Sequence, residues 1–335
     1  MIIAYEIIKN EYVKINACFD YQRVVKLPDE INGLMVEELA PYAFSDKEIE
    51  IKNCMLWRSD ELAVEDDVLP PRICGNKLEE IVIPKSVKKI GRYAFYGCEE
   101  LKALTMHSTT IDLGNGIFMG CNRLNNLNII VDESVRSSLH ELLLMFCHSL
   151  KLHYYVTDPL SGKNELKYLL VFPPYYENND ENTPARITFR DLHGSGLYYR
   201  NSFANTAFKI DKYDSLFAHA VANEEESISM ELALARILFP AGLKENDKEK
   251  YMTFICEHIS SLSFSLHEFL NSSICSLNDI RNLLMEDYFN KEMLSVVIEK
   301  SAEIKAQDLL SLCMDIKKAR FLDKSENVRK RRFEL

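Results

Sequence analysis

The side chains best suited to chemistry lie between Asn182 and Arg200, where Arg186, Arg190, His193 and Arg200 surround the turn His193-Gly194-Ser195-Gly196. Backbone amides in a Gly-rich turn can cradle an oxyanion or a phosphate, and arginine forks supply bidentate partners. The spacing matches neither a phosphate-binding loop nor a nucleophile elbow. Ser195 beside His193 is no triad without geometry to support it. The four side chains therefore define a candidate anion or small-ligand site, with catalysis as a further extension. His140-Glu141 and His267-Glu268 each open like a zinc-binding helix, but Leu144 and Asn271 stand where the second histidine is required. No carboxylate lies at ligand spacing from His148 or His153. No metal, cofactor or catalytic residue is expected.

A second chemical feature is the basic tail, with Lys317, Lys318, Arg320, Lys324, Arg329, Lys330, Arg331 and Arg332. Such a tail can contact nucleic acid or an acidic protein surface. The formal net charge of −11 over 335 residues argues against general nucleic-acid binding. Apolar content of 47% and charged content of 27% suit a globular protein with room for two domains. Nine cysteines without a C-x-x-C pair suit a reducing compartment. The start MIIAYEIIKNEYVKI has neither a basic n-region nor a cleavage site, so no signal peptide is expected. No run approaches the length of apolar sequence that a membrane span requires.

The elements that position these residues are organised around a repeat. Leu78 to Cys98 reads LEEIVIPKSVKKIGRYAFYGC, and Leu101 to Cys121 reads LKALTMHSTTIDLGNGIFMGC. Leu78, Ile81, Ile83, Ile90, Gly91, Phe95 and Cys98 are matched, at one constant offset, by Leu101, Leu104, Met106, Leu113, Gly114, Phe118 and Cys121. A third unit opens with Leu124, Leu127 and Ile129. A fixed period in this range marks a solenoid whose units bury their apolar faces against one another. Ile81 and Ile83 alternate with their neighbours as a strand requires, Pro84 ends that strand, and Phe95 and Cys98 should stack into ladders of rings and buried thiols.

The pattern L-x-x-I-x-I-P-x-x-V-x-x-I-G-x-x-A-F-x-x-C resembles the BspA-type leucine-rich repeat, with departures in the second copy at His107, Thr110 and Ile117. The resemblance extends from the start of the chain to the neighbourhood of Ile129. It implies a curved right-handed solenoid with a parallel sheet along one face, and a binding or adhesion role without catalysis. Many such proteins are surface-displayed. Lacking their signal, this chain reads as a cytoplasmic, bacterial member.

Residues 1–22 read as a strand-rich cap. In VVKLPDEINGLMVEELAPYAF, Leu27-Pro28 takes the part of Ile83-Pro84, and Leu39, Ala43 and Phe44 those of Ile90, Ala94 and Phe95. IEIKN, with Ile49 and Ile51 inward, reads as the next strand, followed by an insertion from Cys54 to Lys77. Asp132 is an expected N-cap for a helix carrying Val135, Leu139, Leu142, Leu143 and Phe146. Leu150, Leu152, Tyr154 and Val156 then alternate as a strand.

Beyond Asp158, Ile187, Phe189 and Leu192 suggest a strand, the His193–Gly196 turn follows, and a Tyr-rich strand is expected after it. The period then becomes helical. Leu232 to Phe239 is one helix stopped by Pro240, and Tyr251 to Leu262 a second. Ser276 with Asp279 resembles a capping box, Asn290 is a cap for Met293 to Ile304, and Gln307 to Ile316 is a further helix. VVIEKSAEIKAQDLLSLCMDI is similar to the helix pair of an ankyrin repeat. The hairpin signature T-P-L-H is absent, and the pairs Leu283-Leu284 and Leu309-Leu310 are closer together than the period of that family allows.

The expected fold is α+β: a short parallel-β leucine-rich-repeat solenoid, a mixed linker region, and an all-α helical domain. The boundaries are 1–156 for the capped solenoid, 157–226 for the connecting region, 227–320 for the ankyrin-like helices and 321–335 for the basic tail. The expected function is a non-catalytic protein-interaction scaffold whose partner sits on the curved sheet face, the helical domain, or both. Strand alternation aims two rows of side chains outward. One is Glu50, Val82, Thr105 and Asn128; the other is Glu48, Glu80, Ala103 and Asn126. The alternatives are ligand sensing through the Arg186–Arg200 loop and nucleic-acid association through the tail.

Overall fold

The computed structural model describes residues 1–47, 51, 53–59, 69–158, 160–182, 187–272 and 274–322, with backbone alone at 179–182, 187–190 and 322. The chain divides into two units, Met1–Lys209 and Ile210–Leu335.

In the first unit the strands are β1 (Ile2–Ile8), β2 (Tyr12–Phe19), β3 (Val24–Lys26), β4 (Glu30–Ile31), β5 (Leu34–Leu39), β6 (Met55–Arg58), β7 (Glu80–Val82), β8 (Lys89–Ile90), β9 (Ala103–His107), β10 (Asp112–Leu113), β11 (Asn126–Val131), β12 (Leu150–Thr157) and β13 (Asn164–Phe172). They form a solenoid with a ladder on each of two faces. One ladder runs β3-β7-β9-β11-β12-β13, parallel until β13 closes it antiparallel to β12. The second runs β10-β8-β5-β2-β1-β6. The sequence reading placed a sheet on one face only. β1, β2 and β5 start the second ladder, and the short return segments Lys89–Ile90 and Asp112–Leu113 extend it in parallel, too brief to show a period of their own.

The interior between the ladders follows the expected repeat. Val25, Ile81, Leu104, Leu127 and Leu152 lie in register and are all buried. Phe44, Phe95, Phe118 and Phe146 stack in succession at centroid spacings of 5.2, 5.5 and 5.3 Å. Burying a phenyl ring is worth roughly 1.5–3 kcal/mol, and offset stacking adds about 0.5–1.5 kcal/mol. Gly91 and Gly114 sit where coils touch backbone to backbone. A Cβ on Gly91 would lie 2.4 Å from the Pro41 nitrogen, and one on Gly114 2.4 Å from the Arg92 nitrogen. Just after Gly91, Tyr93 adopts φ +55°, as does its counterpart Tyr42 at +59°, while the copy from Leu101 to Cys121 has Gly116 there at +64°. Glycine reaches that left-handed conformation without steric cost.

β1 and β2 form the expected cap, and β2 continues the second ladder by pairing with β5. β6, from the insertion, pairs antiparallel with β1, while Ile51 and Cys54 pack on Ile2, Ala4, Ala17 and Phe19. The insertion thus covers the end of the solenoid.

Ser138, not Asp132, precedes the short helix α1 (Leu139–Leu143), and Val135 is exposed. The Asp132 carboxylate instead accepts from the Ser134 amide and hydroxyl in a local turn, a competing use of that side chain. The segment read as part of a connecting region contributes β13 to the first ladder. It goes on to a hairpin of β14 (Tyr176–Asn182) and β15 (Ile187–His193), so the polar run at Glu177 is a strand held by its pairing. The Tyr-rich stretch is a helix, α2 (Gly196–Arg200), because packing that buries Tyr199 and Arg200 outweighs the strand preference of tyrosine. β16 (Phe203–Ala204) and β17 (Ala207–Phe208) complete the unit.

The second unit is helical: α3 (Ile210–Asp214), α4 (Phe217–Asn223), α5 (Glu226–Leu238), α6 (Glu245–Glu257), α7 (Ile259–Asn271), α8 (Leu277–Met285), α9 (Lys291–Glu303) and α10 (Gln307–Lys317). α5 stops before Pro240, the Ser276–Asp279 capping box forms at α8, and Asn290 caps α9. The run from Tyr251 to Leu262 is two helices, not one. His258 leaves helical geometry at φ −110°, ψ 37°, and its Nδ1 lies 2.9 Å from the Phe254 carbonyl oxygen. A buried staple fixes α3 against α5 and α6. Arg236 donates bidentately to Asp214 at 2.8 and 3.1 Å, and the Tyr251 hydroxyl donates to the same carboxylate at 2.9 Å.

Candidate functional site

The outward face of the first ladder is built by strand alternation on a parallel register. Its two rows are Lys26–Val82–Thr105–Asn128–His153 and Val24–Glu80–Ala103–Asn126–Lys151. At about 4.8 Å per strand the five strands span roughly 19 Å. Glu48 and Glu50, assigned to these rows from sequence, lie outside the described residues, and the place beside β7 belongs to Val24 and Lys26 of β3. A strand with one apolar residue between Val24 and Lys26 is too short to announce itself. Lys151 and His153 were missed, although the alternation of Leu150 with Leu152 carries that signal.

The face is polar and close to neutral. Asn128 donates to Thr105 Oγ1 at 3.1 Å, and Asn126 donates to Asn125 Oδ1 at 2.8 Å. Burial holds the His153 imidazole down to about 4, with Lys151 adding to the shift and the Leu127 backbone opposing it. His153 is therefore uncharged at neutral pH. Towards β13 the face closes: Leu169 and Val171, opposite His153 and Lys151, are fully buried. The edge of the face carries a coil-to-coil charge ladder, in which Arg23 and Lys102 both pair with Glu79, and Arg123 pairs with Glu100.

The Arg186–Arg200 cluster does not assemble as an anion cradle among the described residues. Arg186 and the Arg190 side chain lie outside them. His193 stacks on Tyr176 at 4.5 Å. Arg200 is fully buried, and its terminal nitrogens donate to the carbonyl oxygens of Pro173 (2.6 Å), Gly196 (3.0 Å) and His148 (2.6 Å). The Gly196 amide points to the Pro174 carbonyl oxygen at 3.3 Å. The donors meant for an anion hold the turn to the two prolines that follow β13 and to His148 instead. His140 stacks on Phe203 at 4.6 Å, and His267 meets Asn271 at 3.2 Å. Among the described residues no group of His, Cys, Asp and Glu is arranged to hold a metal ion, and no helix is long and apolar enough to cross a membrane.

The family model for the BspA type leucine rich repeat region matches residues 73–154, in six copies. Over those residues, about a quarter of its length, the chain matches this repeat type. The matched repeat reaches into β12, beyond the stretch that the sequence motif covers, and begins after the coil of β3 to β5. Among solved structures the chain is similar to the T. pallidum leucine-rich repeat protein, at 21% identity and TM-score 0.28 over 40% of this chain and 52% of that one. It is also similar to a leucine-rich cell surface protein from Faecalibacterium prausnitzii, at 15% identity and TM-score 0.27 over 40% of this chain and 36% of that one. The chain spans about half the length of the first and about a third of the second. No curated protein matches the chain significantly.

Proposed function

We propose that this chain is a non-catalytic protein-interaction scaffold of the cytoplasm, and that a protein partner lies across Glu80, Val82, Ala103, Thr105, Asn126 and Asn128. The observation that carries the reading is the in-register ladder of half-exposed, mostly neutral side chains on one open face of a leucine-rich repeat. A rigid, repetitive sheet offers an extended surface at little cost in ordering. The internal use of Arg200 speaks against the ligand-sensing alternative.

The test begins with affinity purification from the native cell to identify the partner, followed by titration against purified variants. Thr105→Arg with Asn128→Arg should weaken binding at least tenfold; both positions are half-buried and share a hydrogen bond, so the pair is melted beside Glu80→Lys, an exposed position whose substitution should cost within about 0.5 kcal/mol. Unaltered binding would move the site off the sheet face.

A further inference from the structure

The helical unit carries an apolar groove of about 470 Å³ between α4 and α6. Phe217, Val221 and Phe254 line its apolar part, with Phe217 edge-on to Phe254 at 5.5 Å. Val221 is 42% exposed. Along the α6 side run Glu249, Thr253 and Glu257, one stripe at intervals of a helical turn. Neither glutamate has an ion-pair partner among the described residues, whereas the neighbouring cations are taken: Lys250 pairs with Asp247 and Lys248 with Glu286. The groove is therefore apolar at its base and acidic along one wall. Residues 210–322 as a whole carry nineteen acidic against twelve basic side chains.

Where the chain leaves this unit decides what can fill the groove. Arg320 donates to the Leu284 and Glu286 carbonyl oxygens at 2.9 and 3.1 Å, and the Glu286 carboxylate holds Lys248 of α6 at 2.9 Å. The described chain thus ends beside α6. The segment that follows Leu322 contains Arg329-Lys330-Arg331-Arg332-Phe333-Glu334-Leu335. At up to roughly 3.3 Å per residue, Arg329 can lie about 23 Å from Leu322. Lys248 to Glu257 spans only about 14 Å of helix. The segment combines four consecutive cations with Phe333 and Leu335, the complement of an acidic wall and an aromatic base.

We propose that Arg329–Leu335 docks into the α4–α6 groove of its own chain, with the basic run on Glu249 and Glu257 and Phe333 against Phe217, Val221 and Phe254. The tail then serves as an internal ligand of the helical unit, which any basic, aromatic-tipped partner peptide must displace.

The test uses the full chain and a fluorescein-labelled peptide of residues 323–335, read by anisotropy. In the recipient, R329E, K330E, R331E and R332E together disable the resident tail. This recipient should bind the peptide at least tenfold more tightly than the unmodified chain, whose own tail competes. Adding E249K and E257K, or the milder E249Q and E257Q, should lower affinity at least tenfold, and raised salt should weaken binding. All these groove substitutions are at exposed positions, and circular dichroism confirms that each variant is folded. Equal binding to the tail-reversed and unmodified chains overturns the proposal. So does binding indifferent to Glu249 and Glu257, or no binding at all.

Discussion

The thiol of Cys121 donates to the carbonyl oxygen of Phe95 at 3.1 Å, one coil back, and the thiol of Cys98 does the same to Phe44 at 3.2 Å. Each cysteine therefore ties its coil to the previous one at the residue whose ring is stacked in the adjacent ladder. The thiol and phenyl ladders are one device: each of these carbonyl oxygens also accepts a backbone amide, that of Cys98 at Phe95 and that of Gly75 at Phe44, and the thiol adds a second donor from the adjoining coil.

Removing one rung should show how strongly the coils depend on it. Phe95→Ala empties a site with neighbours on both sides, Phe44 and Phe118. The expected loss is about 3–5 kcal/mol in urea denaturation. A loss below about 1 kcal/mol would mean that the stacked rings contribute less than a single buried ring should.

Thiol reactivity should divide along the same lines. Burial pushes the Cys121 thiol up to about 12, and Cys98 is raised for the same reason, whereas Cys147 is exposed. In native protein at mildly alkaline pH, a disulfide reagent should label Cys147 first and leave Cys98 and Cys121 unmodified. Nine thiols should react after denaturation in protein kept reduced. Early labelling of Cys121 would contradict the closed interior.

Close coil spacing predicts an intolerant glycine. Gly91→Ala would place its Cβ 2.4 Å from the Pro41 backbone nitrogen, which no side-chain rotation relieves. A destabilisation of roughly 1–3 kcal/mol is expected, of the overpacking kind. Thermal melting of Gly91→Ala and Gly114→Ala beside Gly162→Ala, which meets nothing within 4 Å, provides the comparison. Gly162 also has φ +66°, so its cost measures backbone strain without the clash.

Acid should destabilise the protein through His153. Its folded pKa lies near 4 against an ordinary 6.5, lowered first by burial and then by Lys151. Between those values the unfolded chain binds a proton that the folded chain does not, so stability falls as pH drops from about 6.5 to about 4 and then levels off. The full contribution is up to about 3 kcal/mol. His153→Gln should flatten that part of the pH profile in urea titrations.

The buried staple of the helical unit should fail when one partner is neutralised. Asp214→Asn leaves the Arg236 guanidinium, 0% exposed, without its countercharge. Breaking a buried pair in this way costs about 3–5 kcal/mol. Helicity followed by circular dichroism during denaturation reads the loss, and Tyr251→Phe, which removes one hydrogen bond, should cost about 1 kcal/mol.

Sequence alone determined the parts of this protein whose physics is local or periodic. Seven positions matched at one constant offset, Leu78 with Leu101 through Cys98 with Cys121, specify the inward ladder, the stacked rings and the buried thiols. They suffice because every coil repeats the same environment. Ser276 with Asp279, Asn290 and Pro240 located helix ends because caps and breakers act within a turn or two.

Tertiary structure alone decided which strand stands beside β7, because Val24–Lys26 holds its place by pairing with a distant part of the chain, not by propensity. It also carried a second ladder on through the two-residue strands β8 and β10, and made a helix of the Tyr-rich Gly196–Arg200 stretch and two helices of the run through His258. Arg200 shows the reason most plainly. Its sequence neighbours suggested an anion, but the carbonyl oxygens of His148 and Pro173 reach it from elsewhere in the chain. The chemistry of a side chain follows from what surrounds it in space, and spacing along the chain reports that only where the environment repeats.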